Sequence, residues 1–310
     1  MNPSTGAGES NPRHESTRAP RPPWSEFKQA LEAAGFRPSR SLGQNFLLDE
    51  NAARAIARDA GVQPGDFVLE VGPGCGFLSV HLAHMDVRLL AVEIDERLAP
   101  IAQQFLAPYP KADVVVGDIL QGKHALNPAI LDLLPAHGDW HLVSNLPYSV
   151  SAPVLALCAG LEVPPCSLTV LIQDEVARRL QAQPATREWG PLTVSVAQTF
   201  EARKTRGLAP TLFWPRPKVQ STVLRLTRRA ELPSPSQRQF LSAFAARVMR
   251  HRRQSLARVL RDLLGSREQA ESVLADRCLQ GDLRADTLGL ESLRGLGESI
   301  REAGWTPDPS

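Results

Sequence analysis

The run "VLEVGPGCGFLS" restricts the possible folds more than any other stretch of this chain. A short apolar segment, "FVLEV" (67–71), meets Gly72, Gly74 and Gly76 and then a helical pattern, "FLSVHLAH" (77–84). Glycines at a strand-to-helix turn let a ligand approach the backbone closely, with a helix N-terminus behind it. A tight connection without a ligand has the same look, so the downstream pattern has to decide. Strands are expected at "RLLAVEI" (88–94), "ADVVVGD" (112–118), "WHLVS" (140–144) and "SLTVLIQ" (167–173). Helices are expected between and after them, at "ERLAPIAQQFL" (96–106), "NPAILDLL", "APVLALCAG" and "DEVARRLQA". Such alternation implies a mostly parallel sheet covered by helices on both faces. "LTVSVAQTFEA" and "STVLRLTRR", separated by a Pro-rich loop, alternate more clearly and read as an antiparallel hairpin at the end of that sheet.

The flanks are different. Ser25 is placed to cap a helix "EFKQALEAAG" that Gly35 stops, and Asp49 to cap "ENAARAIARDAG", with the loop "FRPSRSLGQNFLLDE" between them. The first 23 residues are rich in Pro, Ser and Gly, have no apolar run and read as a disordered tail. They lack the apolar core of a secretory signal. From Pro233 onward, "PSPSQ" reads as a linker and helix start. "RQFLSAFAARVMRHRRQSLARVLRDLLG" has helical periodicity with a break near His251, and two or three short helices follow. The expected organisation is a tail over 1–23, an α/β domain over 24–232 and a small all-helical domain over 233–310.

Composition removes several function classes. A net charge of +2 over 310 residues means that any polyanion-binding surface must come from local clustering. The four cysteines, Cys75, Cys158, Cys166 and Cys278, have no paired spacing, which argues against a disulfide scaffold or zinc knuckle and fits a reducing compartment. The seven histidines show no ligand pattern, and no metal is expected. No stretch approaches the roughly 18 apolar residues of a membrane span. A cytoplasmic location, away from any membrane, follows as the expectation.

The glycine spacing separates two ligand classes. A dinucleotide fingerprint requires G-x-G-x-x-G, and its third glycine position here is Phe77. The match is instead to G-x-G-x-G with Glu70 two residues ahead, the form of S-adenosylmethionine sites, where no pyrophosphate has to be cradled. Glu93 closes the second strand, where a carboxylate can accept from both ribose hydroxyls, and Asp118 follows the third, where it can accept from an adenine amino group. Singly, such acids read as helix caps, and Asp95 and Asp118 would be ordinary ones. Together, at the carboxyl ends of successive strands, Glu93 and Asp118 converge on one crevice.

"SNLPYS" follows the fourth strand at the same edge. An exocyclic amine of a base is a poor nucleophile because its lone pair is delocalised into the ring. Two acceptors that take its N–H hydrogens draw the nitrogen towards tetrahedral geometry and localise that pair. The Asn145 side-chain oxygen and the Leu146 carbonyl suit this task, Pro147 fixes the turn, and Tyr148 offers a ring for the base. A capped Asn-x-Pro turn is the bland alternative.

Asn/Asp-x-Pro-Tyr after a fourth strand marks amino-methyltransferases. "SLGQNFLLD", "EVGPGCGFLS", "VEID", "GDIL", "NLPYSVS" and "FWPRPKVQSTVLRL", in this order, resemble the ribosomal RNA adenine dimethyltransferases, and most closely the small-subunit (KsgA/RsmA) type. The resemblance runs from about Arg40 to about Ser292. It implies a class I, Rossmann-like methyltransferase sheet, mostly parallel with an antiparallel end hairpin, plus the helical C-terminal domain. It implies S-adenosylmethionine as cofactor and small-subunit rRNA in a pre-ribosomal particle as partner, with the protein a monomer. The implied reaction places two methyl groups on N6 of each of two adjacent adenines in the 3′-terminal hairpin loop during assembly. Loss of that activity goes with kasugamycin resistance. Carried onto this chain, the donor site comprises Asn45, Leu47, Gly72, Gly74, Glu93, Asp118 and Asn145. Phe213 becomes the second aromatic surface opposite Tyr148, though it reads equally well as a core anchor. Lys218 serves either the loop's geometry or a phosphate. The chain departs from the family pattern at Asp174 (usually lysine), Gln254 (often basic) and Ser149 (usually asparagine). The first two bear on RNA contact.

From Arg225 to Arg261 there are ten arginines and one acid, Glu231. Arg247, Arg250, Arg252, Arg253 and Arg258 fall on the helical part and, in a run so one-sided, suit RNA phosphates. A solvated helix face is the plain alternative. Three rival functions remain: a large-subunit rRNA adenine methyltransferase of the macrolide-resistance type, a non-catalytic RNA-binding assembly factor, and a nicotinamide dehydrogenase. The glycine spacing disfavours the last.

Overall fold

A computed structural model of the chain describes residues 21–39, 42–122, 125–137 and 139–307. The tail expected over 1–23 lies, except for its last three residues, outside the described residues. The main sheet has seven strands: β1 (Phe67–Val71), β2 (Arg88–Glu93), β3 (Ala112–Val116), β4 (Trp140–Asn145), β5 (Ser167–Gln173), β6 (Phe200–Leu208) and β7 (Ser221–Arg228). Their spatial order is β3-β2-β1-β4-β5-β7-β6. The first five run parallel, and β7 lies antiparallel between β5 and β6. From β1 the chain builds outward on one side through β2 and β3, then crosses to build the other side through β4 and β5. That reversal opens a crevice beyond the carboxyl ends of β1 and β4.

Side-chain alternation explains why these segments are strands. Val68, Leu89, Val143, Leu171 and Val223 enter one core, while their neighbours Leu69, Leu90, Leu142, Val170 and Leu224 enter the other. A sheet buried on both faces needs apolar residues at consecutive positions, as parallel sheets do. The first core is closed by α1 (Trp24–Ala33), α2 (Glu50–Asp59), α3 (Phe77–Ala83) and α4 (Ala99–Leu106). The second is closed by α5 (Pro128–Leu131), α6 (Ser151–Gly160), α7 (Asp174–Leu180) and α8 (Pro191–Ala197). A third core joins α9 (Pro235–Met249), α10 (Leu256–Leu264), α11 (Arg267–Asp276) and α12 (Leu290–Glu302), and it also takes in Trp189 and Val194.

Asp49 caps α2 as expected, accepting from the Ala52 amide at 2.7 Å, and α9 and α10 are separated by a turn around His251. Three expectations need correction. Ser25 does not cap α1: Pro23 occupies the cap position, and no side chain bonds there. α4 begins at Ala99 rather than Glu96, because Pro100 is tolerated only in a first turn. "LTVSV" is helical, not the first half of a strand. Gly190 and Pro191 supply a helix start, Leu192 and Val196 point into the second core four residues apart, and Val194 points into the third. The strand of the end hairpin begins instead at Phe200.

Candidate active site

A cavity of about 240 Å³ lies at the reversal of strand order. Asn45, Leu47, Gly72, Gly74, Glu93, Asp118, Asn145, Leu146, Pro147 and Tyr148 all line it. The loop ahead of α2 brings Asn45 and Leu47 there, and four strand ends bring the rest. Gly72 and Gly74 follow β1, Glu93 ends β2, Asp118 follows β3, and Asn145 ends β4. The Ser144 hydroxyl donates to the Val71 carbonyl at 2.6 Å, pinning the end of β4 to that of β1.

The glycines are required by contact as well as by conformation. Gly72 and Gly74 have φ of +68° and +61°. A Cβ on Gly72 would lie 2.9 Å from the Pro147 ring, and one on Gly74 would lie 2.8 Å from the Phe46 ring. The glycine turn is therefore the floor against which the "NLPY" turn and the "GQNFL" loop close. Glu93 braces that floor, its two carboxylate oxygens accepting from the Gly74 amide at 2.8 Å and the Asp95 amide at 2.9 Å. Each oxygen keeps a further lone pair for a ligand. The Asp118 carboxylate accepts from the Leu120 amide at 2.9 Å, as a local turn would have it.

The Asn145 amide has a defined orientation. Its Nδ2 donates to the Asn45 carbonyl at 2.9 Å, which leaves Oδ1 as the acceptor with no donor among the described residues. Tyr148 is half-buried, its hydroxyl 2.7 Å from the Ser221 Oγ at the start of β7. Burial raises the Tyr148 pKa, so its hydroxyl stays protonated.

The electrostatics of the cavity are one-sided. Glu70, Glu93 and Asp118 line it, and no Lys, Arg or His among the described residues does. Glu70 is 1% exposed, and its Oε2 has no partner among the described residues. Burial pushes its pKa up to about 8, with the Ser79 hydroxyl opposing and the Glu93 charge adding. Burial raises Glu93 as well. This donor set repels phosphate and suits a cation with a sugar and an apolar base. Val92, Ile94, Leu98 and Ile119 supply the apolar wall. A sulfonium nucleoside fits the residues present; a dinucleotide does not.

Some residues escaped the sequence reading. Gln44 donates to the Asp95 carboxylate at 2.8 Å, and Arg97 grips the same carboxylate through two nitrogens at 2.8 and 2.6 Å. The Arg97 guanidinium holds the Asp95 pKa down at about 2 and lies over the Phe36 ring, 4.9 Å from its centroid. Asp95 thus clasps the "GQNFL" loop to the end of β2. It is not the expected helix cap: Leu98 holds that position with no side-chain bond, and Asp95 accepts instead from the Arg97 amide at 3.1 Å. The signal was present in "GQNFL" and "VEID", but nothing in either stretch says that they meet. Phe213 is a correction. It is 3% exposed, belongs to the first core and does not line the cavity, because on its two-residue strand the neighbouring Trp214 takes the outward position.

The arginines also divide. Arg252 is committed internally, to the Asp286 carboxylate at 3.0 Å and to the carbonyls of Thr186 and Arg187. This corrects its reading as a phosphate ligand. Arg250, Arg253 and Arg258 are exposed with no acidic partner among the described residues, and Arg247 is half-buried. Asp174, the departure noted above, accepts from Thr222 at 2.7 Å and from Arg178 at 2.9 Å, and lies 3.6 Å from Lys204. It offsets part of the positive charge of Arg178 and Lys204.

Comparison with known proteins agrees with this geometry. Residues 35–292 match the family model described as ribosomal RNA adenine dimethylase. A Phenylobacterium zucineum protein named ribosomal RNA small subunit methyltransferase A is 40% identical over 286 residues, covering 91% of this chain and 96% of that protein. Its Deinococcus radiodurans namesake is 37% identical, covering 87% and 88%. Among solved structures, a dimethyladenosine transferase from Plasmodium falciparum matches with a TM-score of 0.70 at 18% identity, covering 84% of this chain and 98% of that one, and so shares the fold. The 23S rRNA methyltransferase ErmE matches with a TM-score of 0.60 at 27% identity, covering 83% and 99%. With the fold, the anionic cavity and the family match in agreement, this chain belongs to the ribosomal RNA adenine dimethylase family.

Proposed function

We propose that the protein uses S-adenosylmethionine to dimethylate N6 of two adjacent adenines in the 3′-terminal hairpin loop of small-subunit rRNA, within a pre-ribosomal particle. The observation that carries this reading is the Asn145 amide. Its nitrogen is held by Asn45, and its oxygen is left open on a cavity with three carboxyls and no cationic side chain among the described residues.

The donor, when bound, supplies an electrophilic methyl group on a good leaving group. The chain's own contribution is positioning. Gly72 and Gly74 let the backbone come close, Glu93 offers lone pairs to ribose hydroxyls and Asp118 to an adenine amino group. Asn45 and Leu47 form the loop wall. The Asn145 Oδ1 and the Leu146 carbonyl take the two N–H hydrogens of the target amine, so that its lone pair points at the donor. Pro147 keeps the two acceptors at a fixed angle, and Tyr148 supports the flipped base by stacking. No general base is needed for the attack, since the neutral amine is the nucleophile. Once the new bond has formed the nitrogen is strongly acidic, and its proton passes to water. Residues 24–232 carry this chemistry, and residues 233–310 add Arg250, Arg253 and Arg258 as phosphate contacts, with Arg247 beside them. RNA of this kind is read largely by shape.

The test is nucleoside analysis. Purified protein with labelled donor and immature small subunits should give labelled N6,N6-dimethyladenosine. Label confined to large-subunit rRNA would establish the rival substrate, and no label in either would leave an RNA-binding assembly factor.

A further inference from the structure

The segment 214–220, "WPRPKVQ", contributes nothing to the donor cradle, yet both its ends are fastened to cavity-lining residues. At one end Trp214 faces Phe46 across a two-residue ladder, with ring centroids 5.8 Å apart and planes inclined by 31°. Phe46 is the ring that closes over Gly74. At the other end Ser221 meets the Tyr148 hydroxyl at 2.7 Å. The segment thus bridges the "GQNFL" wall and the "NLPY" wall of the same cavity.

Between those anchors the surface has an unusual composition. Trp214 is 40% exposed and Val219 45%. Arg216 and Lys218 are exposed and have no acidic partner among the described residues. An exposed indole is the informative kind of surface residue, since a large ring left in water is normally buried or used. One ring and one valine make far less apolar area than a protein-docking patch of a few hundred Å². An aromatic face flanked by unpaired cations matches single-stranded RNA, in which every base offers a π face and every linkage a phosphate.

We propose that Trp214, Arg216 and Lys218 form a shelf for an unpaired nucleotide flanking the target, the indole stacking on its base and the two cations meeting adjacent phosphates. The shelf rests on the proposed RNA substrate and extends it. It assigns the second aromatic role to Trp214 rather than Phe213, and to a neighbour of the target rather than to the target itself. The tilted packing against Phe46 and the backbone ladder hold the indole in place, so that little ordering is required when a base arrives.

The experiment measures binding of a fluorescently labelled RNA hairpin with an unpaired, adenine-containing loop to the full chain. Trp214→Ala is expected to weaken binding about tenfold, and Trp214→Phe less than about threefold. Donor affinity, followed by calorimetry, should stay within about twofold of wild type in both. The double variant Arg216→Gln/Lys218→Gln should reduce the slope of log Kd against log salt by about 1.4, two single-strand phosphate contacts. Hairpin affinity unchanged in Trp214→Ala overturns the shelf. So does a parallel loss of hairpin and donor affinity, which would mark Trp214 as a support for Phe46 alone. An unchanged salt slope removes the cations from it. Should the wild type bind the hairpin through Trp214 but form no dimethyladenosine, the functional reading fails and the shelf stands.

Discussion

At the carboxyl ends of β1 to β4, residues from four segments face one cavity, and among the described residues its ionisable side chains there are acidic or phenolic apart from the Cys75 thiol. On α9, α10 and the turn between them, five arginines close in sequence have unlike surroundings. Arg252 is bound to Asp286, Arg247 shares a small cavity with Asp262, and Arg250, Arg253 and Arg258 are exposed. The first region is addressed by the main chain: sheet topology decides where a strand ends, and a short side chain there cannot reach elsewhere. The second is addressed by long side chains whose partners lie on distant segments. A motif at a strand end therefore predicts a site, whereas a run of arginines predicts only a charge.

The largest expected effect is on the first region. Asn145→Ala should lower kcat about 10²- to 10³-fold, by analogy with removal of one preorganised polar group from an active site. Hairpin affinity should stay within about twofold, measured by anisotropy. Equal loss of binding and turnover would make the cavity edge part of the RNA surface and blur the contrast. Gly74→Ala comes next. The added methyl group meets the Phe46 ring at 2.8 Å with φ at +61°, so donor affinity should fall about tenfold or more, read by calorimetry.

The cavity's acidity gives a pH test. Glu70 has its pKa raised from 4.5 to about 8, so the folded chain holds a proton that the unfolded chain has released between those values. Its contribution to stability is fully present below about pH 4.5 and is lost as pH rises through about 8. Glu70→Gln should remove that part of the decline in urea-denaturation series. A variant that declines with the same slope as wild type would place the proton elsewhere.

The smallest effect separates the arginines. Arg252→Ala should cost about 1 kcal/mol of unfolding free energy, because a guanidinium bonded to one carboxylate and two carbonyls is lost from a partly solvated site. Arg253→Ala should change stability by less than about 0.5 kcal/mol while lowering the salt slope of RNA binding. Equal stability losses would mean that the two side chains are engaged alike.

What was legible in the sequence follows the same division. β1 to β5 and the convergence of Glu93, Asp118 and Asn145 could be read because paired apolar positions and alternating elements dictate topology. α8 could not, because Val and Thr favour strands and only the Gly190–Pro191 start and burial on two sides reverse that preference. The burial of Phe213 and the exposure of Trp214 could not be read either, because a one-residue step on a strand turns a side chain to the opposite face. The Gln44–Asp95–Arg97 clasp joins positions 51 residues apart in its first link, a distance that no local pattern encodes.

The most direct test of the central claim is a structure with bound donor or a non-reactive analogue. In that structure Asn145 Nδ2 should stay on the Asn45 carbonyl, and Oδ1 should border open space beside the methyl-bearing centre, wide enough for a purine that reaches Tyr148. An amide turned the other way, or that space filled by protein, would contradict the claim.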